Sequence, residues 1–301
     1  MATAPGTAAI QEYAGDTLVR EQTSLWADAW RRLRRNRAAL VSSIFLAILI
    51  VVAIVAQFWT PYSYFREGIG PIYQGPTAQH LLGLDDAGRD ILSRIMVGAG
   101  VSLRVGVGTS LVILFFGVIV GLIAGFYRGV VDTVISTVIN ISYGIPDLLV
   151  ALILVLLLGR SIGIIIFAIA FTRWNDMARL VRGQAISLRE REFVEAARAG
   201  GAKVNRIIFR HILPNSLGPI IVLATYIVPQ AILFEAFLSF LGLGVPPPIP
   251  SWGGMANDGF HAIRISPHIV LAPAIALSLT LMAFNFLGDG LRDALDPRQK
   301  R

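Results

Sequence analysis

The chain has 301 residues, of which 55% are hydrophobic and only 15% charged, with a net charge of +7. A soluble protein carries about a quarter charged residues, so this composition predicts a membrane protein with several spans. The absence of cysteine excludes disulfides, thiolate catalysis and cysteine-bound zinc. The two lysines, Lys203 and Lys300, lie outside any GxxxxGK[ST] pattern, which excludes a Walker-type phosphate loop.

The first 37 residues are polar and lack the early apolar core of a cleaved secretory signal. Their last part is rich in arginine: Arg31, Arg32, Arg34, Arg35 and Arg37. An apolar run at 38–60 follows directly, and arginines beside a membrane span are typical of its cytoplasmic side. We therefore predict a cytoplasmic tail at 1–37 and a first transmembrane helix at 38–60.

Residues 61–101 are predicted to form an external loop, with aromatic residues at membrane level. Charged residues of both signs occur there at short spacing: Asp86, Arg89, Asp90 and Arg94. They could pair with one another around a helix start, or they could have a functional role. The sequence leaves both interpretations open.

Five further apolar segments lie within a core at 102–290, at 103–127, 134–158, 163–174, 217–243 and 269–287. Together with the first, they predict an all-α protein with six transmembrane helices. The segment 163–174 is the shortest, and its length does not separate a span from a buried helix. With six spans, however, most of the 26 basic residues fall on one side, which predicts that both termini, including the tail 291–301, are cytoplasmic.

The segment 103–127 carries glycines at four-residue and near-four spacing: Gly106, Gly108, Gly117, Gly121 and Gly125. Small residues at this spacing let neighbouring membrane helices approach closely. We interpret them as packing residues and not as a site.

Three polar residues inside predicted spans are candidates for a translocation pathway: Asn140, Asp147 and Glu235. Asp147 follows Pro146, which removes a helical donor and can open a kink. Burying a carboxylate in the bilayer costs several kcal/mol unless it faces a partner or water. Each carboxylate could line a pathway or fix the bundle by a hydrogen bond, and a proton-coupled carrier would also use such groups.

The segment 175–216 is a polar, arginine-rich loop between apolar segments, too charged to enter a bilayer. Its spacing predicts two short helices. Ser187 and Glu190 have the spacing of a capping box, which predicts a first helix from about Leu188. Phe193, Ala196, Ala197 and Gly200 would share a small, nearly flat face of that helix.

Gly200 and Gly201 are predicted to end the first helix, because glycine accepts a positive φ without steric cost. A second amphipathic helix follows, with an apolar side of Val204, Ile207, Ile208 and Ile212. Pro214 is predicted to stop it. A DNA-binding helix-turn-helix would also be basic, but membrane spans on both sides argue against a nucleic-acid partner.

At these residues the sequence resembles a known family. Glu195-Ala196-Ala197, three residues, Gly201, nine residues and then a position before Leu213-Pro214 are similar to the "EAA" loop of ABC importer membrane subunits. The general pattern has isoleucine where this chain has His211. The run 211–215 is similar to the dipeptide, oligopeptide and nickel branch, as are the segments 80–94, 240–253, 283–293 and 296–298.

This resemblance implies a type I ABC importer permease with six helices, in a bacterial or archaeal plasma membrane. It implies a second homologous permease, two cytoplasmic ATPases that bind ATP and magnesium, and an external substrate-binding protein. The chain itself would need no cofactor or metal and would not be an enzyme. The substrates would be dipeptides or oligopeptides. In other members of the branch the substrate is a nickel chelate.

The residues that the resemblance assigns to ATPase coupling share the cytoplasmic loop: Glu195, Ala196, Ala197, Arg198, Gly201, Leu213 and Pro214. A stand-alone transporter driven by an ion gradient, or a channel, is the alternative function. It would leave the charged loop without an explanation.

Overall fold

The structure, a computed structural model, describes residues 25–295. Their helices are α1 (Leu25–Arg35), α2 (Arg37–Val55), α3 (Ile91–Tyr127), α4 (Gly129–Tyr143), α5 (Asp147–Leu158), α6 (Ile162–Arg189), α7 (Glu192–Ala199), α8 (Val204–Phe240), α9 (Trp252–Phe260) and α10 (His268–Leu295). This part of the chain contains no β-strand, so the prediction of an all-α protein is confirmed. Most of the predicted N-terminal tail and the last residues of the C-terminal tail lie outside the described residues.

Among the described helices, α2, α3, α8 and α10 are long and apolar enough to cross a membrane. The pair α4 and α5 would add one more span, although the two helices are bent by 88° relative to each other. The predicted span at 163–174 lies in α6, whose apolar part is interrupted by Arg173, Asp176 and Arg179. Length and composition therefore support four or five spans in residues 25–295, and the sixth predicted span is not confirmed.

The helix α3 begins within the segment 61–101 that we predicted to be an external loop. Asp90 is its N-cap and accepts a hydrogen bond from the Ser93 amide at 2.8 Å. The first turns are helical because their apolar side chains, beginning with the fully buried Ile91, pack into the core. A helix of 37 residues is about 55 Å long and exceeds the roughly 30 Å hydrocarbon layer.

The charged residues around this helix start form ion pairs. Of the two interpretations that the sequence left open, pairing around a helix start and a functional role, these contacts support the first. Arg89 Nε lies 2.7 Å from Asp85 Oδ2, and Arg94 Nε lies 3.3 Å from the same oxygen. Arg94 also reaches Asp258 of α9, at 3.6 Å. Burial raises the pKa of the Asp258 carboxyl, while Arg94 opposes the shift. These contacts hold the segment between α2 and α3 against α9.

The glycines of α3 are packing residues, as predicted. A Cβ added to Gly117, Gly121 or Gly125 would lie only 2.6 Å from an atom of α6. A Cβ on Gly106 would lie 2.6 Å from Ile232 of α8, and one on Gly108 would lie 2.8 Å from Ile166 of α6. The helices α3, α6 and α8 can pack this closely only because these positions carry no side chain.

Candidate functional site

The helix α7 protrudes between α6 and α8 on the side that we predict to be cytoplasmic. It begins later than predicted, because Ser187 and Glu190 do not form a capping box. Ser187 lies inside α6, which continues to Arg189, and Glu190 forms an ion pair with Arg128. Arg191 is the N-cap of α7 and gives no side-chain cap.

Val194 anchors α7 to the rest of the protein. Its side chain is fully buried in a cluster with Ile207 and Ile212 of α8. Phe126 of α3 and Val181 of α6 belong to the same cluster. Our sequence reasoning missed Val194, although a β-branched residue among charged neighbours was an available signal.

The face of α7 that we predicted to be small and flat is largely exposed. Glu195 and Arg198, on another face of the helix, are exposed, as are Ala196 and Gly200 of the flat face, where Ala197 is half-buried. Phe193, at the edge of the same face, is 40% exposed. Val194 lies beside this face, one turn before the half-buried Ala197, and the exposed remainder of the face is available for another molecule.

Gly201 ends the turn after α7, as predicted. It has a φ of +77°, and the Ala202 amide donates a hydrogen bond to the Ala197 carbonyl at 3.0 Å. A Cβ on Gly201 would meet nothing within 4 Å, so the backbone conformation and not space requires glycine there. Gly200 has a φ of −76° and needs no such freedom.

The predicted stop at Pro214 is wrong, because α8 runs through it. A π-helical turn at Ile208–Ile212 precedes Leu213 and Pro214, and the proline lies in the first turn of the α-helical part that follows. The looser turn accommodates a residue without an amide donor. Leu213 is half-buried, Pro214 is exposed, and the His211 ring lies 6.5 Å from the Phe193 ring.

A second candidate site is a row of polar contacts between α4 and α5 on one side and α6 on the other, here called the polar ladder. Its pairs are Asp132 with Arg182 (2.9 Å between Oδ2 and Nη2), Asn140 with Arg179 (3.1 Å), Tyr143 with Asp176 (2.6 Å) and Asp147 with Arg173 (2.9 Å). Asp147 and Arg173 remain about one third exposed. Two of the predicted pathway residues, Asn140 and Asp147, thus lie in the same row.

The polar ladder borders a small cleft between α6 and α8. Arg173 and Asp176 line this cleft together with Gln230 and Phe234 of α8. Its volume of about 10 Å³ is enough for one water molecule. The guanidinium of Arg173 also lies over the Phe234 ring, with 5.5 Å between Cζ and the ring centroid.

Glu235 lies apart from the polar ladder and is fully buried. The Ser239 hydroxyl, one turn later in α8, donates a hydrogen bond to its Oε1 at 2.6 Å. This hydrogen bond lies within α8, and the buried Oε2 of Glu235 has no hydrogen-bond partner among the described residues. Both roles considered for Glu235 therefore stay open. No group of three side chains among residues 25–295 could hold a metal ion.

Residues 117–301 match the family described as "Binding-protein-dependent transport system inner membrane component". Residues 24–80 match the N-terminal transmembrane domain of oligopeptide transport permease C. The chain belongs to this permease family. The identification as a permease subunit of an ABC importer, made from the cytoplasmic loop, is therefore confirmed.

Curated relatives of the permease match it over nearly the whole length. The oligopeptide transport system permease protein OppC of Bacillus subtilis is 42% identical over 290 residues, which covers 96% of this chain and 95% of the relative. The dipeptide transport system permease protein DppC of the same species is 44% identical, covering 95% and 90%. The glutathione transport system permease protein GsiD of Escherichia coli O1:K1 / APEC is 42% identical, covering 91% of each chain.

Solved structures agree on the fold. The permease matches a chain of the MetNI methionine ABC transporter in an inward-facing conformation, with a TM-score of 0.55 and 18% identity. The match covers 67% of this chain and 96% of the other. At this identity the likeness establishes the ABC importer permease fold alone.

Proposed function

We propose that this permease forms half of the translocation pathway of an ATP-driven importer of dipeptides or oligopeptides. Its curated relatives are named as oligopeptide, dipeptide and glutathione permeases, all of which concern peptides. The observation that carries the coupling part of the proposal is the exposed Ala/Gly surface of α7, a helix that the buried Val194 holds against the rest of the protein. Coupling residues would be Glu195, Ala196, Ala197, Arg198 and Gly201, with Leu213 and Pro214 at the start of α8.

The packing behind α7 supports a mechanical role. The buried cluster around Val194 joins α7 to α3, α6 and α8, so a force on α7 would act on the ends of these helices together. The helix α6 carries one side of the polar ladder. A docked ATPase that pushes α7 would therefore change the spacing between α6 and α4–α5, where Asn140 and Asp147 lie.

The polar ladder suits a peptide pathway because its partly exposed groups carry charges of both signs. A peptide with free termini also carries both charges, so an ion pair such as Asp147–Arg173 can be exchanged for contacts with substrate. In this proposal Asn140 and Asp147 line the pathway, and transport by Glu235 variants decides whether Glu235 belongs to it as well.

The orientation of the permease in the membrane is inferred from the distribution of its basic residues. We place both termini and α7 in the cytoplasm of a bacterial or archaeal cell, with six crossings, of which α6 provides one through residues 163–174. A second homologous permease would complete the pathway, with two ATPases below α7 and an external substrate-binding protein on the opposite side. ATP and magnesium would be bound by the ATPases.

The coupling surface is tested by a pair of glycine variants. Gly201→Val forces a β-branched residue into a positive φ and should distort the turn, whereas Gly218→Val adds a side chain to α8 where a Cβ would meet nothing within 4 Å. We expect normal membrane insertion of both, with loss of ATPase co-purification and of ATP-dependent peptide uptake in the first only. Normal co-purification by Gly201→Val, or uptake by the permease driven by an ion gradient without ATPases, would overturn the proposal.

A further inference from the structure

A cavity of about 190 Å³ lies between the end of α2 and the N-terminal third of α3, and no residue of α7 or of the polar ladder lines it. Its wall includes Ala53 and Gln57 near the end of α2, Tyr64 of the following segment, and Gly100 and Arg104 of α3. No carboxylate lines it. Its polar side chains are a guanidinium, a carboxamide and a phenol, which all offer hydrogen-bond donors.

Arg104 is the charged group of this cavity, and its charge is uncompensated within the described part of the chain. Its Nε donates to the Gly100 carbonyl at 2.9 Å, so the side chain folds back by one helical turn. Its terminal nitrogens make no hydrogen bond and no ion pair to residues 25–295. Arg104 is exposed at the edge of the cavity, so its terminal nitrogens are accessible to an anion from outside the chain.

Gly100 leaves the space that the folded-back arginine uses. A Cβ built on it would lie 3.8 Å from Arg104 Nη2 and 3.5 Å from the Ala53 carbonyl oxygen. One added carbon would therefore fit, but a longer side chain would fill the cavity. The opening for a ligand exists because this position carries no side chain.

The cavity lies at the level of a membrane surface. The apolar helix α2 has 19 residues, or about 28 Å, which matches the hydrocarbon layer, and the cavity lies at its C-terminal end. Phe58 and Trp59 follow that end with 86% and 61% exposure. Aromatic residues of this kind are typical of the zone where lipid headgroups lie.

We propose that this cavity binds the phosphate group of a membrane phospholipid, with Arg104 as the main ligand and Gln57 and Tyr64 as additional donors. Arginine matches phosphate oxygens with two parallel N–H groups. A lipid held there would join α2 to α3 at the headgroup level. In the orientation proposed above the end of α2 faces outside, so this lipid would belong to the outer leaflet. The proposed binding does not depend on that orientation.

The test uses the full-length chain, purified in a neutral detergent and depleted of lipid, as wild type and as four variants. Arg104→Gln removes the cation, Arg104→Lys keeps a charge without the planar fork, and Gly100→Leu fills the cavity while keeping Arg104. Arg66→Gln is the control, since it removes an exposed arginine from the segment between α2 and α3. Each protein is titrated with phosphatidylglycerol, and the bound lipid is counted by native mass spectrometry together with the melting temperature.

We expect phosphatidylglycerol to remain bound to the wild type and to Arg66→Gln and to raise their melting temperatures. Arg104→Gln and Gly100→Leu should need about tenfold more lipid, the loss expected for one charge-assisted contact, and Arg104→Lys should lie between. Diacylglycerol, which lacks the phosphate, should give no effect. If Arg104→Gln does not fold, Gly100→Leu and Arg104→Lys decide the matter.

Three results would overturn the proposal. The first is equal lipid binding by all variants, and the second is no retained lipid in the wild type. The third is an equal effect of inorganic phosphate at the same concentration, with displacement of the lipid, which would identify a site for free anions. None of these measurements involves transport or ATPase binding, so their outcome is independent of the peptide importer function.

Discussion

Arg173 of α6 and Asp147 of α5 form an ion pair of 2.9 Å beside the point where the chain turns by 88° between α4 and α5. Asp147 is the first residue after the break made by Gly144 and Pro146. The pair therefore fixes the direction in which α5 leaves the bend. Its arginine also lines the cleft between α6 and α8.

The first prediction concerns this ion pair. Asp147→Asn and Arg173→Gln should each lower peptide uptake by an assembled transporter, because each leaves one charge beside the cleft without its partner. Partly exposed ion pairs contribute only about 1 kcal/mol or less, so both variants should insert and assemble normally. The exchange variant carrying Asp147→Arg and Arg173→Asp restores an ion pair at this place, so its uptake should recover in part if the pair itself is what uptake needs. Wild-type uptake by both single variants would show that neither charge is needed.

The second prediction concerns the anchor of α7. Val194→Ala removes two carbon atoms from a fully buried position and should destabilise the loop by about 1–2 kcal/mol. We expect weaker ATPase co-purification and faster proteolysis within 190–204, with the transmembrane part intact. Phe193→Ala is the control for the exposed side and should leave proteolysis unchanged. Equal protection of both variants would contradict the role of Val194 as an anchor.

The third prediction concerns the contact between α3 and α6. A Cβ on Gly121 would lie 2.6 Å from the Ala178 carbonyl oxygen, so Gly121→Ala should force the helices apart at a cost of about 1–3 kcal/mol. Gly183→Ala in α6 meets nothing within 4 Å and should leave the melting temperature unchanged or slightly higher. A comparison of the two melting temperatures in detergent checks this, and equal values would refute the close packing.

The fourth prediction separates the two roles considered for Glu235. Glu235→Gln keeps an oxygen for the Ser239 hydroxyl and should transport at nearly the wild-type rate. Glu235→Leu leaves that buried hydroxyl without an acceptor and should cost about 1–3 kcal/mol of stability. Loss of uptake by a stable, fully assembled Glu235→Gln variant would instead return Glu235 to the pathway.

Sequence reasoning succeeded where a local pattern has a single physical outcome. Composition predicted a membrane protein, because so few charges cannot cover a soluble surface of this length. Four-residue glycine spacing predicted close packing of α3 against neighbouring helices, and Gly201 ended α7 because only glycine readily adopts the required φ. The loop motif and the separated family segments identified the permease before any geometry was known.

It failed where a distant contact decides between two local outcomes. Ser187 and Glu190 had capping spacing, yet α6 continued through Ser187, and Glu190 pairs with Arg128. Pro214 was predicted to end a helix, but a π-helical turn before it lets α8 continue through the proline. Residues 91–101 were predicted to belong to a loop, although their buried apolar contacts make them the first turns of α3.

The amino-acid sequence by itself determined the membrane character, the helical class, the family and the position of the polar loop in the chain, because these depend on composition and on motifs close in the chain. Only the tertiary structure decided that Val194 is the anchor, that Asn140 and Asp147 lie in one row with arginines of α6, and that Glu235 is enclosed. Those relationships join residues far apart in the chain. Which side chains meet there depends on how whole helices pack, and no local pattern records that packing.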